Sequence, residues 1–437
     1  MIKELYIKRE KQIIANILNN KINKISRKDR KNNSIRYYDG SNIGFYSFLG
    51  EDNKEYYEKA KNNLRKNIKY EEEITKNIVR KNSINYEEEI TKNIVRKNSI
   101  NYEEEITKNI VRKNSINYEY NEEEFINKAK KLIFELNKKF PEFIFSNNIK
   151  MFNTKYELIN DLNTDLYDED FFYLFIILIK HRKSINVFDS GFLDISREFN
   201  IRDSISKISK ILTKFEIKVD LPKESKIPII FNNVNFDNKL IQWLNPKNIE
   251  AGNSELRNKE GKQIFNSKLN ITINRTKENF DTPFFDLEGS VIENDKFYLI
   301  KNGIFIQGYA DKAISSKYNI KNTAAAFGEY NDLPSIDKAQ IHFENTADSL
   351  KKLLGSERAI YVDIYQGGDY NEKGDYSTPI QSAYLYEDGE IIGRLPEFSA
   401  YNNIYEMFGK DFIGVCIDNE FGGFKNIVTK MNIARSK

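Results

Sequence analysis

Apolar positions along this 437-residue chain change rhythm part-way. Ile13, Ile14, Ile17 and Leu18 lead into Asn19-Asn20-Lys21, a candidate hairpin turn. Ile35 and Tyr37, then Asp39-Gly40, then Ile43, Phe45 and Phe48 predict a second hairpin. Residues 54–69 read as a charged amphipathic helix. Residues 121–140 carry Phe125, Ala129, Leu132, Ile133 and Leu136 at helical spacing, and Pro141 ends that helix. From 148 to 197 the pattern is β-rich, with Asn153-Thr154 and Phe188-Asp189 expected in loops, and residues 201–215 form another amphipathic helix. After a linker at 223–226 the runs become short: a strand at 227–231, a short helix at 235–244, and strands at 339–343, 359–365, 412–417 and 427–433. Between them, Asp388-Gly389 centres a hairpin over 383–392, and residues 401–408 read as a short helix. The sharpest signal is Tyr298 to Tyr309, where Asn302-Gly303 separates two apolar runs, because both central positions of a type I′ turn need positive φ. The reading is an α+β chain. Residues 1–222 form an α/β domain of antiparallel strands flanked by helices, and residues 227–437 a mainly antiparallel β domain, barrel-like or a sandwich.

One stretch breaks the pattern. YEEEITKNIVRKNSIN occurs three times without change, at 70–85, 86–101 and 102–117. Within a copy Tyr70, Ile74, Ile78 and Val79 share a helical face, and the acidic run Glu71 to Glu73 suits a helix N-terminus. A partner-binding helical array is one reading. A tolerated surface insertion is the blander and favoured one, since identical copies point to recent duplication.

Composition narrows the function classes. Lys plus Arg is 68 against 65 for Asp plus Glu, and a net charge of +3 argues against a protein that coats nucleic acid. A single cysteine rules out an intrachain disulfide and a Cys₄ or Cys₂His₂ zinc site. Met1-Ile2-Lys3-Glu4 opens no apolar signal core, and the apolar run 171–179 is too short to span a bilayer, so a cytoplasmic protein without membrane contact is expected.

Candidate chemistry is sparse. His342, in Gln340-Ile341-His342-Phe343-Glu344, lacks the paired cysteines of a zinc deaminase and reads as an ordinary strand residue. His181, within Lys180-His181-Arg182-Lys183, reads as a solvated basic turn. Cys416 alternates with apolar neighbours and reads as a small buried hydrophobe. Asp286 and Glu288, in Phe285-Asp286-Leu287-Glu288-Gly289, are a candidate acid/base pair.

That loop, together with Asn302-Gly303, Gly308-Tyr309 and Ser315-Ser316-Lys317, resembles the TldD/PmbA family, once called modulators of DNA gyrase. Gly261-Lys262-Gln263-Ile264-Phe265 before it and Gly374-Asp375-Tyr376-Ser377 after it match the family's flanking elements. Glu4-Leu5-Tyr6 and Gly44-Phe45-Tyr46 extend the likeness to the first domain. The resemblance implies an N-terminal α/β domain joined to a β-rich C-terminal domain. Catalytic members carry His-Glu-x-x-x-His on the helix that corresponds to 235–244: two imidazoles hold zinc and the Glu activates water. Family spacing places these positions near Asp237, Asn238 and Gln242, and no His lies between His181 and His342. Asn cannot act as a general base and Gln is a poor zinc ligand.

The resemblance therefore implies the non-catalytic, TldE/PmbA-like type of member, with no catalytic residue, metal or cofactor of its own. Its expected partner is a TldD-like zinc-bearing subunit. The pair would be a heterodimer that degrades or processes unfolded peptides, this chain shaping the cavity. Asp286, Glu288, Gly289, Asp375 and Ser377 are the family-motif positions, expected to be structural or peptide-positioning. Two alternatives stand beside it: a stand-alone peptide-binding or scaffold protein, and an enzyme with a replaced metal site using Asp237 and distant carboxylates.

Overall fold

The computed structural model describes residues 1–66, 68–70, 79–80, 110–116, 118, 120–232, 237–337, 339–365, 367–418 and 420–435. Most of the repeat block therefore lies outside the described residues.

The first domain is one long antiparallel sheet with helices packed on it. Its strands are β1 (Ile2–Leu18), β2 (Lys21–Tyr38) and β3 (Ile43–Leu49), followed by helix α1 (Lys54–Asn62). Short strand β4 (Val79–Arg80) lies outside that sheet, while β5 (Val111–Asn114), which joins it in parallel, helix α2 (Glu122–Lys139), β6 (Phe143–Asn160), β7 (Thr164–His181), β8 (Ser190–Ser196) and α3 (Ile201–Leu212) complete the domain. The sheet order is β3-β2-β1-β6-β7, and both β5 and β8 lie on the outer edge of β7. Asn19 and Asn20 turn β1 into β2 with φ of 47° and 64°, the positive pair that a two-residue hairpin needs. Helix α2 is capped by Asn121, whose side chain accepts from the Glu124 N–H, and it carries three acidic residues in its first turn. Phe125, Ala129, Leu132, Ile133 and Leu136 are its buried face, as their spacing predicts. They pack on Ile13, Phe145, Met151 and Ile177 of the sheet, while Ile208 and Leu212 of α3 join the same core.

The second domain begins with β9 (Lys226–Asn232), α4 (Asp237–Leu244) and α5 (Pro246–Ala251). Then come β10 (Ile271–Asn274), β11 (Val291–Ile292), β12 (Lys296–Lys301), β13 (Ile304–Phe305), α6 (Lys312–Tyr318) and β14 (His342–Phe343). It closes with α7 (Leu350–Leu354), β15 (Ala359–Tyr365), β16 (Asp369–Tyr370), β17 (Asp375–Glu387), β18 (Glu390–Arg394), β19 (Phe398–Asn403), α8 (Ile404–Met407), β20 (Phe412–Ile417) and β21 (Lys425–Arg435). Strand β15 pairs with both β9 and β17, and the chain of pairs β9-β21-β19-β17 returns to it. The pairing thus runs full circle, which gives the domain its barrel, with only β9 and β15 running parallel in that ring. A smaller sheet, β13-β12-β10-β14, packs against it.

Two expectations fail. Asn153-Thr154 is the middle of an 18-residue strand, paired to Lys11 and Phe171, and not a loop. Two described segments of the repeats are strands where helix was expected. Val79–Arg80 runs parallel to Val291–Ile292, and Val111–Asn114 runs parallel to Asp165–Asp168. Ile110 is buried among Tyr156, Leu166, Phe284 and Phe285, and Arg112 grips Asp295 through two bonds of 2.6 Å. A bidentate pair of this kind fixes register as well as adding energy. The end of the third copy is therefore core, and the surface-insertion reading does not hold there.

Ile110→Ala should cost about 2–4 kcal/mol, the range for truncating a buried aliphatic side chain. Deleting residues 86–101, one whole copy, leaves Tyr70 and the Ile110–Asn114 segment in place. It should change stability by less than about 0.6 kcal/mol, because loop entropy varies slowly with length. Urea unfolding of both variants checks this. A deletion that costs more than Ile110→Ala would mean that the middle copy packs too.

Candidate functional site: the acidic loop at the domain junction

The loop Pro283 to Gly289 reaches out of the second domain into the first. Phe284 and Phe285 are 1% and 0% exposed, and they cluster with Tyr6, Tyr156, Leu158 and Leu166 of the first-domain sheet. A fully buried side chain of this size contributes roughly 1.5–3 kcal/mol. The buried loop backbone needs partners, and charged side chains supply them. Arg36 donates to the Leu287 carbonyl at 2.6 Å and pairs with Glu4 at 3.2 Å. Arg275 donates to the carbonyls of Pro283, Phe285 and Ala324. Asp168 on β7 accepts from the Phe284 N–H at 3.2 Å, and Asp170 accepts from the Asp281 N–H at 2.8 Å. Neither Arg36, Asp168 nor Arg275 was singled out by the sequence.

Within the loop the two motif carboxylates have different duties. Asp286 accepts from the N–H groups of Glu288 and Ser290 through one oxygen and from Ala326 through the other. It is the hub of the turn. Glu288 accepts from the Tyr70 hydroxyl at 2.7 Å and from the Lys312 N–H at 2.9 Å, while Lys312 Nζ donates back to the Glu288 carbonyl. Gly289 has φ of +72°, and a Cβ there would lie 3.1 Å from Leu158, so conformation and space both call for glycine. Asp311 caps α6 through the Ile314 N–H at 2.8 Å. Burial, then the neighbouring Asp311 and Asp286, raise the Glu288 carboxyl to about 8. Burial raises Asp311 to about 6.

The remaining motif positions lie elsewhere. Asp375 is exposed on the barrel surface, held below the ordinary carboxyl range by the side-chain amides of Asn403 and Asn371 at 2.8 and 2.9 Å. Ser377, also exposed, stands beside it on β17, opposite Tyr401 of β19. The five motif residues thus form two places: a buried junction and an exposed patch of sheet.

Helix α4 spans Asp237 to Leu244. Leu240, Trp243 and Leu244 form its buried face, whereas Asn238 and Gln242 are exposed. The Asp237 side chain, and residues 235–236 of the expected helix, lie outside the described residues. His342 is a strand residue of β14, as expected, and lines a cavity of about 200 Å³ at the junction with Tyr6, Tyr156, Arg275 and Asp286. Burial, aided by Lys425, lowers it to about 4, so the imidazole is neutral. His181 is not a solvated turn. It ends β7 with its ring against Phe143 and Phe215 and its Nε2 3.3 Å from Glu216. Cys416 is fully buried and its thiol is pushed up to about 12. Among the described residues no three His, Cys, Asp or Glu side chains gather closely enough to hold a metal. No described helix is long and apolar enough to cross a membrane.

Residues 224–433 match the family described as PmbA/TldA metallopeptidase C-terminal domain. An uncharacterized protein of Methanocaldococcus jannaschii, MJ0231, is 24% identical over 171 residues, which is 39% of this chain and only 40% of that relative. Among solved structures, TldE from Thermococcus kodakarensis superposes with a TM-score of 0.75 at 18% identity, covering 100% of this chain and 97% of that one. A Thermotoga maritima protein described as a candidate modulator of a DNA gyrase gives 0.66 at 15% identity, over 99% and 95% of the two chains. A Bacteroides thetaiotaomicron protein of the same description gives 0.66 at 16%, over 100% and 94%. At such identities the likeness speaks for the fold.

The Glu288 titration is testable. The ordinary carboxyl value is 4.5 and the folded value about 8, so between them the folded chain holds a proton that the unfolded chain has released. This contribution to stability is complete below the unfolded value and is lost as the pH rises through the folded one. The wild type should therefore lose stability relative to Glu288→Gln between about pH 4.5 and pH 8, by the order of a few kcal/mol. Denaturant unfolding of both proteins across that window checks it. Parallel curves would mean that Glu288 is solvated and ionised.

Proposed function

Because this chain belongs to the PmbA/TldD family, we propose that it is the TldE/PmbA-like, non-catalytic subunit of a two-subunit zinc metallopeptidase system acting on unfolded peptides. The observation that carries the reading is the surface of α4. Its outward positions are Asn238 and Gln242, and the chain's two histidines stand on β7 and β14 instead. A catalytic zinc takes about three protein ligands, most often including imidazole, and an amide pair supplies neither ligand nor base. The likeness to a TldE fold over the whole chain supports the same reading.

In this role the chain shapes the peptide cavity and a TldD-like partner holds the zinc. Asp286, Glu288 and Gly289 act indirectly, by locking the two domains. Asp375 and Ser377 meet a peptide or partner in this reading, which their exposure side by side on β17 supports.

Co-expression with a His-Glu-x-x-x-His relative from the same genome is the test. Size exclusion with light scattering should give one complex, and only the mixture should cleave an unfolded peptide. Separate elution at micromolar concentration, with the relative fully active alone, would favour a stand-alone peptide-binding or scaffold protein. Atomic emission on the chelator-rinsed chain should find well under one zinc per chain. One tightly held zinc, lost on mutating Asp237 or His342, would favour the replaced-metal enzyme instead.

A further inference from the structure

A second cavity, of about 350 Å³, lies between the edge of the first-domain sheet and strand β15 of the barrel, away from the acidic loop. Its size falls within the roughly 300–1,000 Å³ of small-molecule sites. Its walls are largely apolar, with Ile176, Leu178 and Phe188 on the first-domain side. The hairpin that carries Phe188 also exposes Ile185 at 99% and Val187 at 85%, so apolar surface continues outside it.

Asp363, Ser190 and Asn232 bring polar atoms into these walls. Asp363 is half-buried, and its carboxylate has only long bonds, 3.5 Å from the Gly191 N–H and 3.3 Å from the Ser382 hydroxyl. Among the described residues it has no ion pair. The Ser190 hydroxyl, 1% exposed, faces that carboxylate and lowers its proton affinity, but falls short of a well-formed hydrogen bond. The Asn232 side-chain oxygen is buried without a partner. Lys207 also lines the cavity, but Asp194 at 3.0 Å and Asp203 at 2.8 Å already neutralise it.

A buried acceptor left unpaired destabilises the fold, so such a site favours a ligand that donates to it. An anion would be repelled by Asp363, and an apolar ligand would leave its carboxylate with only those long bonds and the Asn232 oxygen with no donor. An ammonium group carries three N–H donors and one positive charge, and an aliphatic stem suits the walls. We propose that this cavity binds an alkylammonium group, either a free aliphatic amine or a lysine side chain on a peptide. The site stands apart from the subunit reading and its test needs no partner.

Burial raises Asp363 to about 6, so it is ionised at pH 7.5, where the full chain is titrated calorimetrically with n-pentylamine and with pentan-1-ol. The amine should bind saturably at one per chain and the alcohol roughly tenfold more weakly or worse. Asp363→Asn should weaken the amine by a similar factor at an unchanged unfolding midpoint. If that variant fails to fold, Ile176→Trp, which fills the cavity and keeps the carboxylate, should abolish binding. Equal binding of the alcohol, no saturable binding of the amine, or full affinity in the variants would overturn the proposal. Acetyl-Ala-Ala-Lys-Ala-Ala-amide and its norleucine counterpart separate the two sources. A lysine peptide that binds more tightly than pentylamine, with a silent norleucine peptide, supports a peptide ligand. Binding of pentylamine alone supports a free amine.

Discussion

The structure depends on the insertion of one acidic loop into the sheet of another domain. Phe284 and Phe285 bring apolar area that can be buried only there, and they carry Asp286, Leu287 and Glu288 in with them. An irregular loop inside a protein is viable only if its backbone groups find partners. Arg36, Arg275 and Asp168 are those partners: Arg36 and Asp168 reach the loop from the first domain, and Arg275 from just before it in sequence. The carboxylates are therefore best understood through what they hold in place. Asp286 folds the turn and Glu288 joins Tyr70 to the start of α6.

This arrangement also accounts for the behaviour of the repeat block at its two ends. Tyr70 belongs to the first copy and closes on Glu288, while Ile110 and Arg112 belong to the third and close on Phe284 and Asp295. Both ends of the block attach to the one loop module. Duplication between these anchors leaves them intact, which makes an expanded block tolerable although its edges are core.

Much of the fold was legible where local chemistry admits one answer. Asn19-Asn20 and Asn302-Gly303 adopt the positive φ values that their hairpins need, and α2 buries the face that its spacing predicts. Other features depended on distant chain. Asn153 looks like a loop residue, yet its amide is used inside the sheet by Tyr118 and Glu169. Val111–Asn114 belongs to a repeat whose apolar spacing is helical, but the edge of β7, Asp295 and the Phe284 ring draw it into a strand. The motif residues could be found but not their grouping, since nothing local places Glu288 under cover and Asp375 in the open. His181 stands in a basic run, and only the aromatic rings brought to it by the fold give it a dry setting.

On this basis the acidic loop couples the two domains into one cooperative structure. Hydrogen exchange read by mass spectrometry at increasing urea tests it most directly, comparing strands β1 and β2 with strands β10, β12 and β13. Both sets should lose protection at the same urea concentration. They should part only when Arg36→Met and Asp168→Asn together remove the loop's partners. Loss of protection at two well-separated urea concentrations in the unaltered chain would contradict it.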